Sequence, residues 1–464
     1  MSIPQYVTGE IRGCLPVLRI RYLVAFLLTF FAPLSPVVRP LFAQSYEQSL
    51  GVPPFTTALP VESGFINAAN GNLHIEIPLG SFPQRGGATD KVVLMYDSAF
   101  WTPYYSSGTG FVWEPIGASS GWSPDAAGWR LVTSGDIGTA TYGLFFDSYC
   151  SDVDDFATVT YSPWIWTAPD GTQHSFSAST TQPLYPSDGY CTDTDVPSST
   201  AYASDGSGFY ISISDYRNAT VYAPDGTALG PSSFYGDLIK TDPNGNQYTT
   251  STTTSPFEVK YTDTLNRTVV DMTASSGFST FYYALPNALG GTSTYTLKTQ
   301  SLNINTAFGY TGWSEYVGTL PELTEIDLPN GTKYQFTYDN GTSSGNYGLL
   351  TQMILPTGGT INYGYTNFTD GASNVSRWIN QRTTPDSTTP WTYTPSVLSS
   401  CTYPYNLNCK QQVTVTKPSG DYAKYTFTLN NGAWPTETDY YDSTTGLLAS
   451  TRRSCTRATY FFTT

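Results

Sequence analysis

Two side chains in this 464-residue chain could serve as an imidazole base, His74 and His174. His74 falls on the polar side of the alternating stretch Leu73-His74-Ile75-Glu76-Ile77, and His174 follows a turn. Neither has a nucleophile motif beside it, so both are expected at the surface and not in a catalytic relay. Zinc needs clustered His and Cys, and the sequence offers no such cluster. No Gly-Lys-Ser/Thr phosphate loop is present.

Carboxylates are the catalytic candidates that remain. Asp152, Asp154 and Asp155 sit in SDVDDF, and Asp193 and Asp195 in CTDTD, beside Cys150 and Cys191 respectively. If those cysteines paired, the acids could converge into an oxygen cage for calcium, which takes six to eight oxygen ligands. Neither run has the spacing of a calcium loop, so a solvated acidic loop is the expectation and calcium the alternative; no other cofactor is implied. Hydrolysis of a glycoside would require two carboxylates at a defined separation across a cleft, which defines the enzymatic alternative: a carbohydrate-active β protein with paired acids. The many aromatic rings suit stacking on sugars, and equally suit the filling of a two-faced sheet.

The chain has six cysteines. Cys14 lies in the leader. Cys401 and Cys409 enclose the short loop CTYPYNLNC and are expected to pair; Cys150 with Cys191 is the next pair, leaving Cys455 over.

The elements that must position these groups are announced by a turn. In LTEIDLPNGTKYQFTYDNG, Pro329 presets φ, Asn330 tolerates the next position and Gly331 can take positive φ, giving a type I turn followed by a left-handed glycine: a three-residue hairpin with a bulge. Tyr334, Phe336 and Tyr338 then alternate with polar residues, as a strand with one aromatic face. The same turn recurs at Pro169 and Gly171, Pro224 and Gly226, Pro243 and Gly245, Pro356 and Gly358, and Pro418 and Gly420. Its uneven spacing describes a hairpin with variable insertions, not a strict solenoid.

Composition agrees with β structure. The chain has 36 Tyr, 24 Phe and 10 Trp against 4 Met, and no segment of the mature chain sustains a helical period. Its net charge of −15 repels phosphate backbones, which excludes nucleic acid as a partner. Arg12, Arg19 and Arg21 precede the apolar run Tyr22 to Ala32, the length of a signal-peptide core. Export is therefore expected, as a secreted or surface-displayed chain, with cleavage after Ala43; an uncleaved leader is the one expected membrane contact.

Several phrases resemble the Tyr-Asp repeats of RHS/YD-repeat proteins: TDPNGNQY (Thr241 to Tyr248), YTDTLNRTVV (Tyr261 to Val270), TYDNGTSSGNYGLLTQMILPTGGTINYGY (Thr337 to Tyr365) and YYDSTTGLLAS (Tyr440 to Ser450). FINAANGNLHIEIPLG followed by VVLMYDS is similar to the opening segment of secreted members. The resemblance covers about Val61 to Ser450 and is densest after Tyr235. It implies an all-β protein whose successive antiparallel hairpins form a large curled or spiralling sheet, a partial RHS-type shell, with an N-terminal β-sandwich-like portion. The expected organisation is a signal peptide or membrane anchor over 1–43, a linker over 44–60, a β-rich domain over 61–235, the YD-repeat hairpins over 236–450 and an atypical tail over 451–464. A non-enzymatic structural, adhesive or shell-forming role follows, with cell-surface glycans or other RHS-type chains as partners.

The tail breaks the pattern. YYDSTTGLLAS should be answered by an alternating strand, yet TRRSCTRATYFFTT follows, with Arg452, Arg453, Arg457 and Cys455. A reading-frame change or truncated gene near Thr451 would account for this, and would leave an unpaired sheet edge.

Overall fold

A computed structural model describes residues 46, 50–52, 57–106, 110–116, 126–150, 155–184, 195–231, 240–401, 409–429 and 433–452. The leader, the linker's middle and residues 453–464 lie outside the described residues. Leu41–Thr464 forms one compact unit. The chain is all-β. Apart from Tyr46 and the single 3-10 turn Arg85–Gly87, the described residues are strands, turns and loops.

Five sheets of five, four, five, fifteen and three strands take the place of one continuous spiral, which corrects the shell expected from the sequence. The fifteen-stranded sheet runs from Tyr248–Thr254 to Gly446–Arg452, each strand pairing antiparallel with its neighbours in the chain. The exception is the two-residue strand Trp313–Ser314, which leaves the series to pair in parallel with Gly110–Pro115. The physical reason for several sheets is that the early strands close among themselves. Gly64–Asn67, Leu73–Pro83, Thr89–Asp97 and Trp129–Thr133 form the middle and edge of a small sheet that precedes the large one.

All six Pro-x-Gly turns close in the same way. Gly171, Gly226, Gly245, Gly331, Gly358 and Gly420 have φ between 72° and 92°. Around Pro329, the Gly331 N–H donates to the Leu328 carbonyl at 3.0 Å and the Leu328 N–H donates to the Thr332 carbonyl at 2.8 Å; the other five repeat both bonds. Asp263–Arg267, Asn287–Gly291 and Asp370–Asn374 make the same pair of bonds without the Pro-x-Gly sequence. Asn266 and Ser373 take the left-handed position there, at φ 59° and 69°. What unites them is the first residue. Asp242, Asp263, Asn287 and Asp370 each accept two backbone N–H groups, two and four residues on, at 2.7–3.1 Å. In the phrases TDPNGNQY and YTDTLNRTVV this is the physical role of the Asp: its carboxylate closes the turn that reverses the strand.

The small sheet lies across the large one. Passing from one end of the Leu73–Pro83 hairpin to the other, contacts step through successive strands of the large sheet. Arg267 Nη2 donates to the Pro83 carbonyl and Tyr295 to that of Leu79, the Leu350 N–H donates to the Tyr96 hydroxyl, the Ile379 N–H to the Gly71 carbonyl and Gln411 to that of Ala69. Successive positions along Leu73–Pro83 and the turn before it thus meet successive strands of the large sheet, so the two strand directions cross. Between them lies the main core: Leu73, Ile75, Ile77, Leu94 and Tyr96 on one side, with Val270, Phe281, Leu323, Met353, Trp378 and Phe427 on the other. Two smaller cores sit under the four- and five-stranded sheets and under the three-stranded one.

Candidate functional site

Three adjacent strands place a row of rings at the rim of the third core. Tyr105 on Trp101–Ser106 stands opposite Phe111 on Gly110–Pro115, and Phe111 opposite Trp313 on Trp313–Ser314, so register puts all three on one face. Their ring centroids are 5.3 Å and 5.3 Å apart, and Tyr310 extends the row 4.3 Å beyond Trp313. The inner end of the row is anchored by Trp113, stacked at 3.9 Å on Phe308 and buried. Tyr105 is 43% exposed, and Phe111, Trp313 and Tyr310 are half-buried. Phe111 and Trp313 are stacked at 26°, whereas Tyr105 meets Phe111 at 68° and Tyr310 meets Trp313 at 40°, so the row offers apolar contact held at strand spacing and not one flat platform.

A second surface feature is a hollow of about 430 Å³. It opens where strands Val317–Asp327 and Lys333–Tyr338 part, since these pair only from Glu325 to Asp327. The parted backbone is satisfied from inside: the Ala127 N–H donates to the Pro321 carbonyl, Tyr338 donates to that of Leu323, and Trp129 Nε1 donates to Tyr338 at 2.8 Å. Glu325 is the one carboxylate lining the hollow, and Lys298 and Lys333 hold it at 2.6 and 2.7 Å. Their hydrogen bonds keep it below the usual carboxylate range.

Both histidines are buried, contrary to the surface positions expected. His74 is fully enclosed, stacked on Phe65, with Nδ1 2.9 Å from Asp97 and Nε2 3.3 Å from Glu76. Asp97 also accepts from Asn72 at 2.6 Å and pairs with Arg130 at 2.6 Å. Burial alone would lower the His74 pKa, but the Asp97 carboxylate outweighs it and raises the imidazole to about 9. Arg130 reaches on to the carbonyls of Pro169 and Asp170, tying the small sheet to the first Pro-x-Gly turn. Alternation misplaced His74 because Asp97, 23 residues away, supplies its polar partner inside the core.

His174, sandwiched against Trp166 and Phe209, meets Asp205 at 2.7 Å and Ser207 at 3.1 Å. The residue types are those of a Ser-His-Asp relay, but serine and aspartate share the same ring nitrogen, Nδ1. A relay needs them on opposite nitrogens, so this trio is a structural clamp. The pattern Gly-x-Ser-x-Gly also occurs twice, which a search for motifs should register. Gly117–Gly121 lies outside the described residues, and Gly341–Gly345 sits in a loop between two strands with no helix to follow, unlike a nucleophile elbow.

Glu322 is the most isolated acid. It is fully buried on the strand Val317–Asp327, and neither carboxylate oxygen has a hydrogen-bond partner. Burial, with Asp339 nearby, pushes it well above the carboxylate range. Glu322 is not one of the residues that line the hollow.

Of the calcium candidates, Asp152, Asp154 and Asp193 lie outside the described residues, and Asp155 opens the strand Asp155–Thr167. Asp195 is exposed and accepts the Tyr216 hydroxyl at 2.7 Å. Among the described residues no group of three or more His, Cys, Asp or Glu could hold a metal ion. Cys401 and Cys409 form a disulfide with Cα atoms 4.7 Å apart, joining the end of Ser387–Ser399 to the start of Cys409–Thr416. Cys150 ends the strand Thr139–Cys150, while Cys14, Cys191 and Cys455 lie outside the described residues. Among the described residues no helix is long and apolar enough to cross a membrane, which says nothing of strands.

The fold defines an all-β protein of almost wholly antiparallel sheets, in which several of the turns, those at Asp242, Asp263 and Asp370, are closed by a carboxylate. No family model matches the chain, and no curated protein matches it either.

Proposed function

We propose that this chain is an exported or surface-displayed, non-enzymatic β protein of the RHS/YD-repeat kind, with a structural and adhesive role, and that its aromatic row binds neutral glycan. The row of Tyr105, Phe111, Trp313 and Tyr310 carries the binding reading. Sugar rings present flat C–H faces, and a preorganised line of aromatic rings offers successive stacking places with polar strand edges alongside. The RHS/YD relationship is supported by the turns: Asp242, Asp263 and Asp370 each follow Thr or Tyr-x and close a hairpin in the same geometry. A structural role is supported by a sheet of fifteen strands paired in chain order. The leader supports export and is the one membrane contact in this reading.

Glycan-array binding of the mature chain tests the proposal. Retention on a subset of neutral glycans that is lost in Trp313→Ala supports it. Equal retention by wild type and Trp313→Ala refutes the assigned surface, and the appearance of cleaved glycan refutes the non-enzymatic role.

A further inference from the structure

The turn that joins Leu73–Pro83 to Thr89–Asp97 is seated between two turns at the start of the large sheet. Gln84 sits at its root, 8% exposed, and its Nε2 donates both to Asp90 and to Asp263, the latter at 2.7 Å. Asp90, 4% exposed, also accepts the Tyr248 hydroxyl. Asp263 is paired with Arg267 at 2.7 Å, and Arg267 donates on to the Pro83 carbonyl at 2.8 Å. On the other flank Asn246 donates to the Arg85 carbonyl at 3.1 Å. One amide nitrogen therefore separates two carboxylates in a buried joint, and only one of the two has a cation in contact.

We propose that the Gln84–Asp90–Asp263 cluster is a proton-operated clasp, which holds this turn against the first strands of the large sheet and grips harder in weak acid. The titratable groups facing Asp90 are Asp263 and Arg267 from the turn after Phe257–Asp263, Tyr248 from the edge strand, and Lys240 from Lys240–Thr241, which donates to the Ser134 carbonyl. Lys240 acts on Asp136, Asp90, Asp225 and Asp242 at once, and lowers Asp90 through space without an ion-pair contact. Burial raises Asp90 to about 6; the Gln84 hydrogen bond opposes this and Asp263 adds to it. The sign follows from linkage. A carboxyl whose folded value lies above its unfolded one takes up its proton first in the closed joint, so closure is favoured as the pH falls through 6 toward 4, and the cost of a buried charge is fully present above 6.

Hydrogen exchange of the full mature chain, corrected for intrinsic rates, reads the opening of the joint. Amides across the clasp, those of Asn244 to Gln247 and of Gln84 to Ala88, should open about tenfold less often at pH 5 than at pH 7.5, given a rise from the ordinary aspartate range to about 6. Asp90→Asn should remove that difference, and Asp263→Asn should shift it to lower pH. Protection independent of pH in the wild type overturns the clasp, as does a tenfold difference that survives Asp90→Asn. If Asp90→Asn does not fold, a carboxyl-carbon titration of Asp90 in the wild type decides: a midpoint near 6 supports the clasp, and one in the ordinary aspartate range refutes it.

Discussion

The two sheets that share the main core are stabilised by different means. The large sheet repeats one local device, an Asp or Asn whose side chain closes the turn between neighbouring strands. The small sheet depends on a single non-local cluster in which His74, Asp97, Asn72 and Arg130 come from separate strands and turns and converge in the core. A repeated device spreads its contribution over many sites, each worth little alone. A buried ion cluster concentrates it, because removal of one member strands the others without solvent.

The sharpest test of that contrast is Asp97→Ala. It leaves His74 with only the half-exposed Glu76 at 3.3 Å and a partly buried Arg130 with carbonyl partners but no carboxylate, and a loss of about 3–5 kcal/mol is expected in denaturant unfolding. A loss below 1 kcal/mol would place the small sheet in the same class as the large one. The pH dependence comes next. Because His74 is raised from 6.5 to about 9, its contribution is complete below pH 6.5 and is lost as the pH rises through 9. The chain should lose up to about 3 kcal/mol between pH 6.5 and 9.5, and His74→Gln should flatten that slope.

How far the sequence revealed each region follows the same division. The six Pro-x-Gly turns were legible because proline, a small polar residue and glycine determine a local φ pattern with no help from the rest of the chain. The Asp263–Arg267 and Asp370–Asn374 turns escaped a search on Pro and Gly, since Asn266 and Ser373 occupy the left-handed position and the real signature is the leading Asp. His74 was misread because alternation reports which face a residue is on, and not whether a partner such as Asp97 makes that face buried. The division into five sheets was beyond reach for a related reason. Turn chemistry states that neighbours pair, but where pairing stops depends on packing between distant segments. The aromatic row required Trp313 to leave its own hairpin series and pair in parallel with Phe111, a contact about 200 residues long in sequence that no local pattern encodes.

Smaller effects are expected in the large sheet. Asn287→Ala removes two backbone bonds in one turn and should cost about 1 kcal/mol, as should Gly331→Ala, whose φ of 82° penalises a Cβ although the space around it is open. Calorimetry of the two single variants and the double variant should give nearly additive shifts, as separate copies of one device require. Strong coupling between them would show that the turns act as a unit. The smallest change should come from Lys298→Ala. Its ion pairs with Glu325 and Asp327 are 45% exposed on the lysine side, so a loss within about 1 kcal/mol is expected.

The central claim is that an aromatic row, supported by a rigid all-β frame, binds glycan without cutting it. The most direct measurement is a tryptophan-fluorescence titration of the chain with a soluble neutral polysaccharide, run beside an assay for newly formed reducing ends. The account predicts a saturable change in fluorescence that disappears in Trp313→Ala, with no rise in reducing ends over the same period. A flat titration, or a reducing-end signal that grows with protein concentration, would contradict it.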